Sequence, residues 1–306
     1  MAFQVKILGS NSATPAHNRN QTSQLLIADN EYYLIDCGEG TQLQLIRYRI
    51  RFHRINHIFI SHLHGDHYLG LMGLLLTMNL QGRQEDLHVY GPAGLDEILS
   101  LQMKYSGTIL QYKLHFTAVE QSAPGLLFES KLLTVESLPL VHRIPCTGFL
   151  FREKPKSRRF NRAKMQPGMT GDEIARLKSG QDIYTPEGEL KYRSLDYTLP
   201  PRRSRSYAYC SDTRYEPALV PLLQNVDVLY HEATFTSEFE SRAAETFHST
   251  ARQAGLIAQA ANAHMLLLGH YSVRYKELTP LLLEAREVFY NSYLAVEGET
   301  IDIGAD

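Results

Sequence analysis

The chain contains 306 residues, of which 43% are hydrophobic and 21% charged, and its formal net charge is -2. This length and hydrophobic content exclude a wholly disordered chain, because they provide for at least one large core. The near-neutral net charge excludes a protein that is basic throughout, so any nucleic-acid-binding surface must be local.

Cysteine usage and the N-terminal pattern indicate the compartment. Cys37, Cys146 and Cys210 are scattered and have no CxxC spacing, which favours a reducing compartment over a disulfide framework. The first ten residues alternate too strictly for a signal peptide, and no apolar run has the length of a membrane span. We therefore expect a soluble cytoplasmic protein without a membrane partner.

Short apolar strands alternate with helical patterns along the chain. Strands are predicted, in chain order, at residues 3–8, 32–35, 57–60, 87–90, 132–135, 146–151, 207–210, 226–230, 265–268 and 293–296. Helices are predicted at 41–48, 69–80, 94–105 and 249–262. Ser249 or Thr250 is expected to cap the last of these, and Thr279 is expected to cap a final helix with Pro280 at its first position. Interleaved strands and helices predict an α/β layered fold.

One long segment, from Arg152 to Arg205, lacks the apolar periodicity of the rest. It opens with one acid, Glu153, and a run of cations: Arg152, Lys154, Lys156, Arg158, Arg159, Arg162 and Lys164. Proline and glycine recur after that, and only 172–177 has the pattern of a short helix. A span this long without core patterning is either a disordered insertion or a functional excursion.

The strongest chemical signal is the segment from Ser61 to His67, the histidine loop, which follows a predicted strand. It carries three imidazoles, at His62, His64 and His67, and one carboxylate, at Asp66. Imidazole and carboxylate together suit zinc and its first-row neighbours. The crowding of four potential ligands in one turn suggests more than one ion. The alternative is a solvated polar loop that merely contains histidines.

A site for two ions needs further ligands, and three polar residues follow other predicted strands. His142, Asp212 and His270 each stand at the end of an apolar run, where an α/β fold builds its sites. Taken singly, each is more often a turn residue than a ligand. Together with the histidine loop they predict a common metal site.

These residues carry a resemblance to a known superfamily. The His-x-His-x-Asp-His pattern of the histidine loop, followed in order by His142, Asp212 and His270, resembles the metallo-β-lactamase superfamily. Asp36, at the end of its strand before Gly38-Glu-Gly-Thr, resembles that superfamily's first motif. The resemblance implies an αβ/βα sandwich, here a single domain over residues 1–306.

Further motifs narrow the resemblance to the ribonuclease Z family, the tRNA 3'-processing endoribonucleases. The most specific are His231-Glu-Ala-Thr and His248-Ser-Thr. The others, in the family's order, are Leu8-Gly-Ser leading to Pro15-Ala-His-Asn-Arg-Asn, Ser211-Asp-Thr-Arg, and His270-Tyr-Ser-Val-Arg-Tyr. The match covers almost the whole chain and implies a zinc-dependent hydrolase that leaves a 3'-hydroxyl on the tRNA and a 5'-phosphate on the trailer.

The resemblance also implies roles for individual residues. Two zinc ions per subunit are expected. His62, His64 and His142 would bind one ion, and Asp66, His67 and His270 would bind the other. Asp212 would bridge the two ions. A hydroxide shared by the ions would attack phosphorus, with Asp66 as general base on the water. Glu232 would orient and charge His248 as a proton donor near the leaving oxygen. Without the resemblance, Glu232 is a surface acid in a turn and His248 a neighbour of a helix cap.

The family also has a protruding basic arm between its third and fourth metal motifs, and the segment 152–205 stands at that position. Such an arm grips the elbow of precursor tRNA and serves the partner subunit's active site, so the resemblance implies a homodimer. Lysine and arginine would neutralise phosphates without reading bases. The RNA contacts expected are Arg19, Arg158, Arg159, Arg162, Lys164 and Arg274. The alternative is a solvated basic loop.

Two other functions remain open at this point. A metallo-β-lactamase-fold phosphodiesterase for small cyclic or aryl phosphodiesters would use the same ligands, although the basic arm and the pair Glu232 and His248 argue against it. A non-catalytic RNA-binding protein would have a degenerate metal site, whereas every expected ligand position is filled. The same donors would also accept manganese in place of zinc.

Overall fold

A computed structural model describes residues 2–120 and 122–304. The chain divides into two compact units: the body, which runs to Arg152 and resumes at Arg205, and the inserted unit, Glu153–Ser204. Among the described residues, no helix has the length and apolar character needed to cross a membrane.

The body contains two seven-stranded sheets, whose strands are numbered in chain order. The first sheet has the spatial order Thr300–Asp302 (β18), Phe3–Gly9 (β1), Ser23–Ala28 (β2), Glu31–Ile35 (β3), Ile55–Phe59 (β4), Leu87–Gly91 (β5) and Leu114–Ala118 (β6). The second has the order Ser292–Leu294 (β17), Met265–Gly269 (β16), Val228–Glu232 (β15), Ser206–Cys210 (β14), Cys146–Glu153 (β9), Leu133–Leu140 (β8) and Leu126–Glu129 (β7). Each strand predicted from the sequence overlaps one of these; β2, β6, β7 and β18 are additional.

Helices cover the outer faces of both sheets. The α-helices of the body are Thr41–Arg47 (α1), Gly65–Tyr68 (α2), Leu71–Leu80 (α3), Leu95–Ser106 (α4), Glu240–Thr246 (α7), Ala251–Ala260 (α8) and Thr279–Val288 (α9). Short 3-10 helices lie at Phe52–Arg54, Pro217–Leu223 and Ser237–Phe239.

Strand alternation separates three apolar cores, because successive side chains point to opposite faces of a sheet. In β3, Tyr33 and Ile35 are buried between the two sheets, where Phe59 meets Phe151 edge to face. Leu34, between them in sequence, packs on the helix side of the first sheet. A third core joins the second sheet to α8 and α9. These layers form the predicted αβ/βα sandwich.

Parallel pairing brings the predicted site residues to common sheet edges. Strands β3 and β4 are parallel neighbours, and Asp36 and the histidine loop follow their carboxyl ends. Strands β14, β15 and β16 are also parallel, and Asp212 and His270 follow β14 and β16. Carboxyl ends of parallel strands are where α/β folds build ligand sites.

Two glycines allow the loops around the site to meet. The helix predicted over 69–80 begins at Leu71, after α2, because the Gly70 amide donates to the Cys37 carbonyl at 2.9 Å and not to a preceding helical turn. A Cβ at Gly70 would lie 2.2 Å from the Gly38 carbonyl oxygen, and a Cβ at Gly38 would lie 2.3 Å from that of Asp66. Only glycine permits such an approach of backbone to backbone.

Of the two helix caps predicted, the one at α8 is confirmed and the one at α9 is wrong. Thr250 caps α8 in a capping box with Gln253, whereas Ser249 donates its hydroxyl to the Thr213 carbonyl. Thr279 is the first residue of α9 and does not cap it; Leu278 holds the cap position without a side-chain bond. Pro280 explains this difference, because its fixed φ and missing N–H suit the first turn without a cap.

The inserted unit has regular structure, which excludes a disordered insertion. Its elements are the strands Arg159–Phe160 (β10), Ile183–Tyr184 (β11), Leu190–Tyr192 (β12) and Thr198–Leu199 (β13), the helices Gly171–Lys178 (α5) and Ser194–Tyr197 (α6), and a 3-10 turn at Arg162–Lys164. Strand β10 pairs with β13, and β11 with β12. Thr170 and Glu173 form a capping box at the start of α5. The inserted unit begins and ends one residue inside the predicted segment 152–205.

Three histidines stack across neighbouring strands of the first sheet. His57, His88 and His115 are in register on β4, β5 and β6, with ring centroids 5.2 and 4.7 Å apart. His57 Nδ1 is buried and has no hydrogen-bond partner among the described residues, and the Phe128 ring lies 4.1 Å away. Burial, followed by the charges of His88 and Arg83, lowers the pKa of His57 to about 4.

Replacement of His57 by phenylalanine should remove part of the protein's acid sensitivity. In the wild type, the unfolded chain binds a proton at the ordinary histidine pKa of 6.5, but the folded one does so only near 4. Stability is therefore lost as pH falls through this window, by about 2–3 kcal/mol at pH 4. Urea unfolding at pH 4.5, 5.5 and 7 would measure the difference between variant and wild type. The exposed His53→Phe is the matched control, and an equal acid response in wild type and His57→Phe would contradict the prediction.

Candidate metal centre

The structure brings the seven residues predicted as metal ligands into two neighbouring groups of donor atoms. Within each group, the donor atoms lie within 4.8 Å of one another. The first group is His62, His64, His142 and Asp212, and the second is Asp66, His67 and His270. The division of the histidines is the one that the sequence resemblance implies.

Asp212 lies between the two groups. Its Oδ2 faces the first group, 3.5 Å from His62 Nε2 and 3.6 Å from His142 Nε2. Its Oδ1 faces the second, 3.3 Å from His67 Nε2 and 3.0 Å from His270 Nε2. One carboxylate is thus oriented towards both positions, which is the geometry that a bridging ligand requires.

The distances between the imidazole nitrogens of each group show whether a metal ion would fit among them. His64 Nδ1 lies 3.0 Å from His62 Nε2 and 3.2 Å from His142 Nε2. His67 Nε2 lies 3.3 Å from His270 Nε2. A tetrahedral ion with metal–nitrogen bonds of about 2.0 Å holds neighbouring ligand nitrogens about 3.3 Å apart. The donor set therefore fits first-row metal ions.

The second ring nitrogen of most of these histidines is bonded elsewhere, which aims Nε2 at the site. His62 Nδ1 lies 3.0 Å from the Ser61 hydroxyl, and His142 Nδ1 donates to the Phe247 carbonyl at 2.9 Å. His270 Nδ1 lies 3.0 Å from the hydroxyl of Thr234. Such outer partners fix the tautomer and the ring orientation of metal-binding histidines.

Asp36 holds His67 in the same way. It is fully buried, in a left-handed conformation with φ 54°, and its Oδ2 accepts a hydrogen bond from His67 Nδ1 at 2.7 Å. Tyr209 and Ser61 donate their hydroxyls to the same oxygen at 2.6 and 2.9 Å. Tyr209 is a positioning residue that the sequence patterns do not reveal, because it is one aromatic residue among many in buried strands.

The electrostatics of the site favour bound cations. Burial lowers the pKa of the three histidines of the first group, which keeps their lone pairs free for a metal. Burial would also lower the pKa of His67, but the carboxylates of Asp212, Asp66 and Asp36 raise it well above its ordinary value. Three carboxylates, two of them buried, thus surround one imidazole, and positive charge is needed there to balance them.

Glu232, at the end of β15, is a fully buried carboxylate with four hydrogen-bond donors. It accepts from His248 Nδ1 at 2.9 Å and from the Thr213 amide at 2.7 Å. It also accepts from the Thr234 hydroxyl at 2.6 Å and the Ser249 amide at 3.1 Å. Burial alone would lower the pKa of His248, but the Glu232 charge raises it to about 9, so His248 is protonated at neutral pH.

A cleft of about 340 Å³ opens onto these groups. Its lining residues are Ser12, Ala13, Gln21, His64, Gly65, Asp66, Leu69, Arg143, Asp212, His248 and His270. The amide of Ala13 donates to Asp66 Oδ2 at 2.7 Å, so the loop after β1 contributes to the site through its backbone. Neither Ala13 nor Arg143 was among the residues predicted for the site.

Two residues predicted to contact RNA make contacts within the body. Arg19 donates to the Tyr275 carbonyl at 2.5 Å and to Asn11 Oδ1 at 2.9 Å. Arg274 is exposed, with its guanidinium 4.4 Å from the centre of the Phe239 ring. Their contacts with RNA stay predictions, as do those of the cations of the inserted unit.

Comparison with known proteins identifies the family. The chain is 49% identical to the ribonuclease Z of Cytophaga hutchinsonii, over 98% of its own length and 96% of that protein. The chain belongs to the ribonuclease Z family. It is therefore an enzyme, a hydrolase of the endoribonuclease class, as the sequence predicts.

Solved structures agree with this assignment. Human tRNase Z, short form, has 27% identity and a TM-score of 0.70, with 99% of this chain and 100% of that chain covered. The metallo-β-lactamase fold protein YhfI of Bacillus subtilis has 20% identity and a TM-score of 0.69, with 98% and 99% covered. A family model described as anti-Pycsar protein Apyc1 also matches residues 3–156, which include the histidine loop. The metallo-β-lactamase fold is thereby confirmed.

Replacement of Asp36 by asparagine should lower metal content and activity together. The amide oxygen is a weaker acceptor for His67 Nδ1 and carries no charge, so the imidazole loses its orientation and part of its basicity. Loss of such an outer partner reduces metal affinity or activity about 10–100-fold. Elemental analysis after dialysis against a weak chelator, with phosphodiesterase assays, would measure both.

Asp29→Asn is the matched control for this variant. Asp29 has the same left-handed φ of 54° in a turn after β2, so it tests whether asparagine is tolerated in that conformation. Full metal content and activity in Asp36→Asn would contradict a role for Asp36 in metal binding.

Proposed function

We propose that this chain is a zinc-dependent endoribonuclease that removes the 3' trailer from precursor tRNA and leaves a 3'-hydroxyl on the tRNA and a 5'-phosphate on the trailer. The observation that carries the proposal is a single cleft whose walls include donors of both metal-binding groups and His248, the partner of buried Glu232. Relatives named ribonuclease Z and tRNase Z support RNA and tRNA as substrates.

Two zinc ions per subunit are proposed, because nitrogen-rich donor sets with carboxylates suit zinc. The first group would bind one ion and the second group the other, with Asp212 shared. Bound ions would supply Lewis-acid stabilisation of the phosphate and would lower the pKa of water.

Asp66 would serve the attacking water. Burial alone would raise its pKa, but His67 and His270 lower it well below the ordinary range, so the carboxylate is ionised at neutral pH. The hydrogen bond from the Ala13 amide fixes one of its oxygens. A carboxylate held in this way orients water, accepts its proton and directs the resulting hydroxide at phosphorus.

His248 would complete the reaction on the side of the leaving oxygen. Its Nδ1 is bound to Glu232, which leaves the proton on Nε2 for donation. As the bond from phosphorus to the 3'-oxygen breaks, this proton passes to the 3'-oxygen and yields the 3'-hydroxyl, while the phosphate stays on the trailer.

Purified, metal-loaded protein should cleave a precursor tRNA with a 3' trailer after the discriminator base, and Asp66→Ala should lose this cleavage about 1000-fold or more. The exposed Asp96→Ala on α4 is the control. Gel analysis of the end groups would identify the products. If precursor tRNA is left intact while bis(p-nitrophenyl) phosphate is hydrolysed, the substrate is a small phosphodiester and the proposal is wrong.

The inserted unit would bind the tRNA elbow through its cations. Arg158 donates to the Thr198 hydroxyl at 2.6 Å and Arg159 to the Pro200 carbonyl at 3.1 Å, so both are partly engaged. The side chains of Arg162 and Lys164 are exposed and make no hydrogen bond or ion pair with a described residue. They have the freedom that phosphate contacts need.

A homodimer is also proposed, with the arm of one subunit serving the partner's active site. Leu80, Tyr105 and Ile109 of the body are 87, 80 and 85% exposed, at the ends of α3 and α4. The Asn79 side chain joins these ends by a hydrogen bond to the Ile109 carbonyl. Exposed apolar side chains of this size are what a self-complementary interface would cover.

A cytoplasmic location is proposed as well. Cys37, Cys146 and Cys210 are free and buried thiols, which suits a reducing compartment. In fractionated cells, the protein would follow a cytoplasmic marker.

Replacement of both Arg162 and Lys164 by alanine should weaken binding to precursor tRNA and flatten its salt dependence. Each lost phosphate contact lowers the slope of log K against log salt by about 0.7–0.9. Hydrolysis of bis(p-nitrophenyl) phosphate should be unaffected. Filter binding between low and high salt would measure the slope, with Lys113→Ala/Lys131→Ala as the control for lost surface charge.

The variant that lacks the Arg162 and Lys164 side chains also tests whether the arm serves the partner's active site, when it is mixed with Asp66→Ala. One protein has an intact active site and the other an intact arm, so exchange of subunits should restore cleavage of precursor tRNA. A mixture no more active than the sum of its parts, or a monomeric mass by light scattering, would contradict the shared arrangement.

A further inference from the structure

One cation in the cleft has no assigned role. Arg143 follows His142 in the loop between β8 and β9, and it is the only lysine or arginine among the described residues that line the cleft. Its side chain is exposed and makes no hydrogen bond or ion pair with a described residue. A guanidinium beside a catalytic cleft, without a partner in the protein, is available to a ligand.

The backbone next to Arg143 is held in place by contacts of the two residues that precede it. His142 is tied to the Phe247 carbonyl, and the Val141 amide donates to the Thr213 hydroxyl at 3.1 Å. The Arg214 amide donates to the Val141 carbonyl at 2.9 Å. The backbone before Arg143 is therefore held to the segment that carries Asp212, which keeps the Arg143 side chain among the residues that line the cleft.

Arg143 lines the same cleft as His64, a histidine of the first metal group, and His248, the histidine on the side of the leaving oxygen. The cleft thus presents one cation to both sides of the proposed reaction.

We propose that Arg143 binds a nonbridging oxygen of the phosphodiester that is cut and stabilises the charge that develops there during attack. The inference rests on the proposed phosphodiester hydrolysis and adds a catalytic residue to it. A guanidinium suits this task, because its planar N–H groups match phosphate oxygens in pairs and its charge persists at every working pH. Fixed donors aimed at developing charge are typically the largest contribution to catalysis.

The alternative is that Arg143 holds a neighbouring phosphate of the RNA. Two substrates separate these roles. Bis(p-nitrophenyl) phosphate contains only the phosphate that is cut, whereas precursor tRNA also contains its neighbours. If Arg143 contacts the reacting phosphate, Arg143→Ala should lower kcat/KM on both substrates about 100-fold or more, mainly through kcat. Arg143→Lys should recover part of the loss, since it restores the charge without the paired geometry.

Chemical rescue separates a direct role from a structural one. Millimolar guanidinium chloride should restore part of the activity of Arg143→Ala and none of the activity of Asp66→Ala, because only the first variant leaves a gap that the ion fills. Arg252→Ala, which removes an exposed arginine paired with Glu287 on the body, is the control and should keep full activity. Metal content and urea unfolding should match the wild type in all arginine variants.

The outcomes are distinct. A loss on precursor tRNA alone, no loss on either substrate, or a loss that guanidinium leaves unchanged would overturn the assignment. If the wild type does not cleave precursor tRNA, the proposed function fails, but the small phosphodiester still tests Arg143 by the loss and by the rescue.

Discussion

Asp212 is a buried carboxylate whose two oxygens face different groups of imidazole nitrogens, and the rest of the site is arranged around that contact. A carboxylate without water requires positive charge close by. His67, whose pKa the surrounding carboxylates raise, supplies positive charge on one side, and metal ions held by the two donor groups would supply it on both. The strand ends, the close glycine contacts and the outer partners of the histidines all serve to keep these atoms together.

The hydrogen bonds to the Glu232 carboxylate connect the metal-binding groups with the side of the leaving oxygen. Thr234 donates to Glu232 and also lies against the ring of His270, so one hydroxyl links a predicted metal ligand to the carboxylate that charges His248. Ser249 contributes its amide to the same carboxylate. The two short motifs, His-Glu-Ala-Thr and His-Ser-Thr, therefore form one hydrogen-bonded unit, which gives a physical reason for their joint presence.

The lysine and arginine side chains of the protein differ in whether they already form hydrogen bonds within it. Arg19 is committed to backbone carbonyls, and Arg158 is partly committed within the inserted unit, so each would have to exchange internal bonds for a phosphate. Arg162 and Lys164 have no such bonds to give up, and neither has Arg143 in the cleft. Charge counted along the sequence does not distinguish these cases, because the difference lies in the geometry of the donors.

The sequence by itself determined the layered fold, the seven candidate ligands and the family, because strand periodicity and a dense His/Asp motif are local signals. It missed β2, β6, β7 and β18, of which the last three are short strands at sheet edges, and it assigned the cap of α9 to Thr279, which is already helical. Only the tertiary structure decided that Asp212 faces both groups and that Tyr209 and the Ala13 amide support Asp36 and Asp66. These contacts join residues far apart in the chain, and their positions depend on how two sheets pack and where their loops meet.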